Sequence, residues 1–317
     1  MDTSTIVASE IMTRQLATAG PAQHVLDAID CMVARRVSCM PVLTSRGHFV
    51  GQFSERTAIA AMDLADANSD DGPLDAKTCL RLLVAADVMQ PPTLVLKPDQ
   101  DVFDSVAMLL RGRASGAPVV TPGGTLLGVF SEKSAMQVFI GLCWEQMPSS
   151  KVTAWMEDGS DRCIAEGTTM IEILDRFQHS TLRRLMVVRE GRLVGEVSRR
   201  DALVAAVECS RTPLKATRNP ANSGHAALKA DVETWMNRDV PSISPAVDVL
   251  TIAQMFIHSQ ARQLPVLDHR TLVGQISRSD LLRAVQRYFP APIPEGTGPQ
   301  PLYLSSVRED RELAMLS

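Results

Sequence analysis

Two short stretches place reactive side chains at matched spacing, Ser198-Arg-Arg-Asp201 and Ser277-Arg-Ser-Asp280. A hydroxyl three residues ahead of a carboxylate, where an apolar run gives way to a helical pattern, is the signature of a capping box. The same geometry gathers a hydroxyl, free backbone N–H groups and an acceptor-only carboxylate at a helix N-terminus, a place where a phosphate and a ribose could sit. A cap needs nothing further. A pocket needs other elements to wall it, so the next question is what carries these residues.

The carrying elements repeat. Four segments open alike: Val7-Ala-Ser-Glu-Ile-Met12, Val84-Ala-Ala-Asp-Val-Met89, Val152-Thr-Ala-Trp-Met156 and Val232-Glu-Thr-Trp-Met236. Four close alike: Gly51-Gln-Phe-Ser54, Gly128-Val-Phe-Ser131, Gly195-Glu-Val-Ser198 and Gly274-Gln-Ile-Ser277. From Met to Gly the spacing is 39, 39, 39 and 38 residues, a register that chance does not keep. Between these marks each copy reads as a short extended piece (Thr93-Leu-Val-Leu96, Ser242-Ile-Ser244), an amphipathic helix and two short strands. A second helix begins at the motif serine. In the fourth copy the first helix shows its apolar stripe at Val249, Ile252, Ala253, Phe256 and Ile257. The unit is β-α-β-β-α, an α+β arrangement that cannot bury its sheet face and helix stripes alone. Copies one and two, and copies three and four, are expected to pair. The repeats are placed at residues 5–63, 82–140, 150–207 and 229–287, with a Pro/Gly-rich C-terminal tail at 288–317 that is a flexible tail or a docking arm. Asp63 to Lys77 and Ser210 to Gly224 read as surface loops.

Composition limits the function classes. The chain has 317 residues, is 45% hydrophobic and only 21% charged, which suits a globular protein rather than a disordered one. A net charge of −4 gives no electrostatic footprint for nucleic acid or an anionic membrane surface. No leader pattern opens the sequence and no apolar run is long enough to span a bilayer, so a soluble, cytoplasmic protein is expected. The six cysteines are scattered, with no C-x-x-C pair and no histidine at metal-ligand spacing. They read as buried thiols, and no metal site is expected. Trp155 and Trp235, both just before the motif methionine, read as packing residues.

The repeated Met start, the Pro-Val or Met-Val-Val strand (Met40-Pro-Val-Leu43, Ala117-Pro-Val-Val120, Met186-Val-Val188, Leu264-Pro-Val-Leu267) and the Gly-h-h-Ser-x-x-Asp finish resemble those of cystathionine-β-synthase-type (CBS) domains. Here there are four CBS repeats, paired into two tandem Bateman modules. The resemblance implies a regulatory, non-catalytic protein that binds an adenosyl ligand (AMP, ADP, ATP or S-adenosylmethionine) in clefts between paired repeats and senses energy state. It also implies a homodimer and a partner protein that reads the bound state. A catalytic cofactor is not implied, and the repeats leave no room for a catalytic domain.

Carried onto this chain, the resemblance assigns the ribose to Asp201 and Asp280, with Ser198 and Ser277 beside the sugar or phosphate. Copies one and two carry Thr57 and Ser134 at the acidic position, so the second module is the expected binding half. Arg183, Arg184, Arg262 and Gln263 occupy places where the family often carries phosphate-contacting side chains, and Arg199 and Arg278 follow the motif serines. For the adenine ring the matching positions are Cys163 and Ile164 in copy three, and Ser242 and Ile243 in copy four. The alternatives are an assembly protein that has lost its nucleotide, in which the capping box is the motif's whole meaning, and an S-adenosylmethionine sensor.

Overall fold

The computed structural model describes residues 6–70, 80–91, 93–143, 150–211 and 231–288. In each repeat a first helix precedes an antiparallel hairpin, and a second helix leaves directly from the motif serine. The first helices are Val25–Ala34, Val102–Arg111, Met170–Gln178 and Val249–His258. The hairpins pair Cys39–Leu43 with Phe49–Ser54, Gly116–Val120 with Leu126–Ser131, Arg184–Arg189 with Arg192–Ser198, and Gln263–Asp268 with Thr271–Ser277. The second helices are Glu55–Asp70, Glu132–Cys143, Arg199–Arg211 and Arg278–Tyr288.

Local chemistry sets where the first helices start. Side chains of Asp101, Thr169 and Asp248 accept from backbone N–H groups of the opening turn, as N-caps do. The extended piece ahead of the helix is a true strand only in repeat three, where Cys163–Ala165 runs parallel to Met186–Val188. Elsewhere it is reduced to one parallel bridge each, Ala19 with Val42, Leu96 with Val119 and Ile243 with Val266. In the second module the two hairpins join through Arg192 and Thr271 into one five-stranded sheet.

The opening segments are exchanged within each module. Met12 of repeat one lies over Gly128 of repeat two, and Met89 of repeat two lies over Gly51 of repeat one. Met156 and Gly274, and Met236 and Gly195, do the same between repeats three and four. At Gly195 a Cβ would stand 2.6 Å from the Met236 sulfur, and at Gly274 a Cβ would stand 2.9 Å from both the Met156 sulfur and the Glu157 carbonyl oxygen. Isolated antiparallel bridges fix each contact: Thr13 with Val129, Gln90 with Gln52, Glu157 with Gln275, and Asn237 with Glu196. The recurring Met and Gly are therefore two halves of a contact made between repeats rather than within one.

The two apolar cores run across the modules. One joins helices and strands of repeats one and three, including Ile29, Met32, Phe53, Ile173, Phe177 and Leu203. The other joins repeats two and four, including Leu109, Phe130, Phe139, Ile252, Phe256 and Leu282. Trp235 packs against the first core and Trp155 against the second, as the sequence suggested. Paired repeats share leads, whereas facing repeats share cores, so each repeat is held from two sides.

One boundary differs from expectation. The second helix of repeat one continues through Asp70, into the polar segment that reads as a loop. Each added helical residue makes one hydrogen bond at no new nucleation cost, so the alanine-rich helix carries Asn68-Ser-Asp70 with it. The remainder of that linker, most of the second linker and nearly all of the tail lie outside the described residues. Among the described residues no helix is long and apolar enough to cross a membrane, and no group of three His, Cys, Asp or Glu side chains could hold a metal ion.

Candidate ligand clefts of the second module

The caps exist. The Asp201 Oδ2 accepts from the Ser198 backbone N–H at 2.8 Å and from its hydroxyl at 2.6 Å, while the Asp201 N–H donates back to Ser198 Oγ at 3.3 Å. Asp280 and Ser277 repeat this at 2.7, 2.7 and 3.3 Å. In both, one carboxylate oxygen satisfies the cap and the other is left over. The first module closes the same position differently. Thr57 Oγ1 accepts from the Ser54 N–H and donates to the Ser54 carbonyl, and the Ser131 and Ser134 hydroxyls bond each other at 2.9 Å. Neither offers a second acceptor of comparable charge, so at this position only the second module has a carboxylate oxygen beyond the one the cap uses.

The residues that follow the motif serines turn inward. Arg199 Nη2 donates to the Ser180 carbonyl at 2.8 Å, just beyond the end of the first helix. Arg278 Nη2 donates to the Phe256 and Ser259 carbonyls at 3.0 and 3.2 Å. Each guanidinium also lies 5.9 Å from a buried ring, Phe177 or Phe256. Helix ends leave carbonyls without intrahelical donors, and a desolvated guanidinium supplies them. Burial pulls both arginines down to about 10. The structure thus engages Arg199 and Arg278 at the end of the first helix.

Arg184 and Gln263 are likewise engaged across their own hairpins, Arg184 with Glu196 and Gln263 with Gln275. Arg183 and Arg262 are different. They lie where the two modules meet, among Glu55, Cys39 and Ser115. Arg183 Nη1 donates to Ser115 Oγ at 2.7 Å, its one hydrogen bond among the described residues. Arg262 makes no hydrogen bond or ion pair among those residues, and burial first, then the neighbouring Arg183, lowers its pKa. Glu55 pairs with Arg200 at 3.3 Å, and Glu132 accepts from the Ser279 hydroxyl at 2.6 Å. Burial pushes the Glu55 carboxyl up, against the pull of Arg200. Cys39 opens on the same centre; the residue is exposed at the head of its strand, and desolvation of the thiol by its surroundings drives it up to about 11.

The residues expected to face an adenine ring lie at the edges of the sheet. Ile164 and Ile243 are buried and Ser242 is exposed. Cys163, whose Sγ donates to the Gly159 carbonyl at 3.5 Å, lines a cavity of about 360 Å³ with Ile164, Ala165, Thr168, Glu172, Ile173 and Arg176. Arg176 Nη1 donates to the Cys163 carbonyl at 3.2 Å and so occupies part of that strand edge.

Sequence reading alone misses a chain of side chains at the Asp280 cleft. Arg283 Nη2 lies 2.8 Å from Asp280 Oδ1, and Arg283 Nη1 lies 3.2 Å from Glu157. Glu157 pairs with Arg162 at 2.8 Å, and Arg162 also reaches the amide oxygen of Gln275 at 2.7 and 2.8 Å once that amide is oriented to satisfy its neighbours. The chain crosses from repeat three to repeat four. Gly159, at φ +72°, lets the repeat-three lead come this close, because a Cβ there would stand 3.0 Å from the Gln275 side chain. The one available sequence signal was Arg283 falling three residues after Asp280 on the same helix.

Four β-α-β-β-α repeats, paired by exchanged leads and each with a second helix that leaves from its motif serine, define a tandem CBS-pair protein. The chain belongs to the CBS domain family, which matches residues 8–64, 84–141, 160–208 and 230–287. Among relatives, protein MJ1225 of Methanocaldococcus jannaschii is 21% identical over 201 residues, 62% of this chain and 68% of that one. The crystal structure of MJ1225, described as a proposed archaeal homolog of γ-AMPK, matches with a TM-score of 0.74 at 18% identity, covering 88% of this chain and 99% of that one. An uncharacterized conserved protein from Pyrococcus horikoshii matches with a TM-score of 0.54 at 19% identity, covering 88% and 100%. At these identities the likeness establishes a shared fold of two tandem Bateman modules.

Proposed function

We propose that this protein is a non-catalytic regulator that binds an adenine nucleotide, AMP, ADP or ATP, in its second module and passes the bound state to a partner protein. The carrying observation is the contrast at one matched position. Asp201 and Asp280 keep a carboxylate oxygen beyond the cap, while Thr57 and Ser134 are consumed by their own serines. A carboxylate accepts from two hydroxyls at once, which is what a ribose diol requires. Cys163 and Ile164, with Ser242 and Ile243, supply strand edge and apolar surface for the base. Arg262, a cation without an acceptor among the described residues, and Arg183 supply the phosphate end, and Arg suits that task through its planar fork of donors.

Homodimerisation remains an expectation from the family. The core-forming faces of each module are covered by the other module within one chain, so the reading here is a self-contained pair of modules with the partner protein engaging outside it. A ligand signals only through different affinity for two arrangements, and the shared cores are the joint whose packing it would bias.

The test is a calorimetric titration with AMP and adenosine, with S-adenosylmethionine as a third arm. Asp201→Asn keeps a cap acceptor and removes the charge, so it should weaken AMP and adenosine alike by about tenfold to a hundredfold, the worth of one charge-assisted hydrogen bond. Arg262→Gln should weaken AMP and leave adenosine unchanged. Equal binding by wild type and Asp201→Asn would refute the ribose assignment, and saturation by S-adenosylmethionine alone would move the reading to that ligand.

A further inference from the structure

The two clefts of the second module are related by the repeat, yet they differ at three matched positions. Three residues after Asp280 stands Arg283; three residues after Asp201 stands Val204. Following Met156 is Glu157; following Met236 is Asn237. Ahead of Cys163 is Arg162, and ahead of Ser242 is Pro241. The Asp280 cleft therefore holds an unbroken line from Asp280 through Arg283 and Glu157 to Arg162, with contacts of 2.8, 3.2 and 2.8 Å. At the Asp201 cleft, Asn237 instead bonds within its own loop to Asp239.

Burial sharpens the difference. The Asp280 side chain is 3% exposed, whereas that of Arg283 is 52% exposed and lies over its free oxygen. Asp280 Oδ1 has no aligned hydrogen bond, so the guanidinium neutralises it without using it as an acceptor. A diol arriving there meets a carboxylate already covered by a cation, and the cation is tied to the opposite repeat through Glu157. Among the described residues Asp201 carries no ion pair.

Resting on the nucleotide reading above, we infer that Arg283 is the residue that makes the two clefts unequal: Asp201 serves the open nucleotide site, and Asp280 serves a site closed by the Arg283–Glu157–Arg162 line. Ligand reaches the closed site only by displacing Arg283. Because that line joins repeats three and four, occupation of the second site separates two repeats that occupation of the first leaves tied.

The experiment is AMP titration of the full chain by calorimetry, comparing wild type with Arg283→Ala, Asp201→Asn, Asp280→Asn and Val204→Arg. Arg283 is half exposed, and Asp280→Asn keeps an acceptor for Ser277, so these two variants are expected to retain the fold, and circular dichroism checks it for all four. Wild type should show one tight site and a second at least tenfold weaker, the loss expected when a charge-assisted contact must be broken first. Arg283→Ala should bring the second site within about threefold of the first, and adding Asp280→Asn should abolish that gain. Asp201→Asn should remove the tight site, and Val204→Arg should weaken it. Two equal sites in wild type, or an Arg283→Ala protein with the second site unchanged, would overturn the inference while leaving the nucleotide reading intact. Absence of AMP binding in every variant, Arg283→Ala included, would overturn both.

Discussion

At the scale of single residues, the motif Ser-x-x-Asp is a cap in every repeat in which it occurs and a ligand group only by what it leaves over. The carboxylate has four acceptor directions and the cap uses one oxygen. A threonine or serine in its place has spent itself once the helix is capped. The same economy explains the arginines. Arg199 and Arg278 lie against carbonyls and rings that would otherwise face an apolar interior, so their charge is engaged before any ligand arrives. Composition at those positions was readable from the sequence; direction was not, since side-chain torsions decide whether an arginine after the motif serine points to the cleft or to the helix end. Cys39 gives a direct probe of the centre where the modules meet. With its thiol pushed up to about 11, the reactive thiolate is scarce at pH 8. Alkylation by iodoacetamide, followed by mass spectrometry, should be roughly a hundredfold slower than for an ordinary thiol near 8.5, and should accelerate about tenfold per pH unit up to about 11. A rate matching free cysteine would mean that Cys39 is not held in that environment.

At the scale of elements, register and the pairing of copies were legible, and the exchange of leads was not. A spacing of 39, 39, 39 and 38 residues shows four copies of one unit, and the helix stripes of repeats one and four fall where the periodicity places them. Nothing in a period tells which copy a methionine touches. The contact proves to be with the other repeat of the pair, because the lead runs antiparallel to its neighbour's last strand and leaves room there for hydrogen alone. Gly274→Ala would push a Cβ against the Glu157 carbonyl and the Met156 sulfur, each 2.9 Å away. Overpacking against backbone costs about 1–3 kcal/mol, so the urea midpoint of this variant should fall with the slope unchanged. Unaltered stability would mean that the lead can yield. The extent of the first repeat's second helix was likewise hidden, since Asn68-Ser-Asp70 has the composition of a turn and is carried by the helix ahead of it.

For the whole molecule, the polar centre decides how the modules face each other. Acids come from the first module, Glu55 and Glu132, and their partners Arg200 and Ser279 from the second. The module without the motif aspartates therefore contributes the complementary half of the centre instead. This division was invisible in the sequence, because a place in the first turn of a helix, where Glu55 and Glu132 stand, names no partner. A double-mutant cycle on Glu55→Gln and Arg200→Gln should show a coupling of about 1–2 kcal/mol in unfolding free energy, as expected of neighbouring charges with restricted exposure. Additive effects would mean that the pair does not help to join the modules.

The exchanged leads also bear on how such a chain can grow. Each repeat lends its opening segment to its pair-mate and receives one in return, so a lone repeat would carry an uncovered methionine and a glycine groove with nothing in it. As far as the leads are concerned, copy number can therefore change only in twos. Duplication, deletion or grafting that respects the pair keeps every lead with its receiver, leaving only the apolar faces that the other module covers to be matched anew, whereas a cut between repeats one and two, or three and four, severs a reciprocal loan on both sides as well.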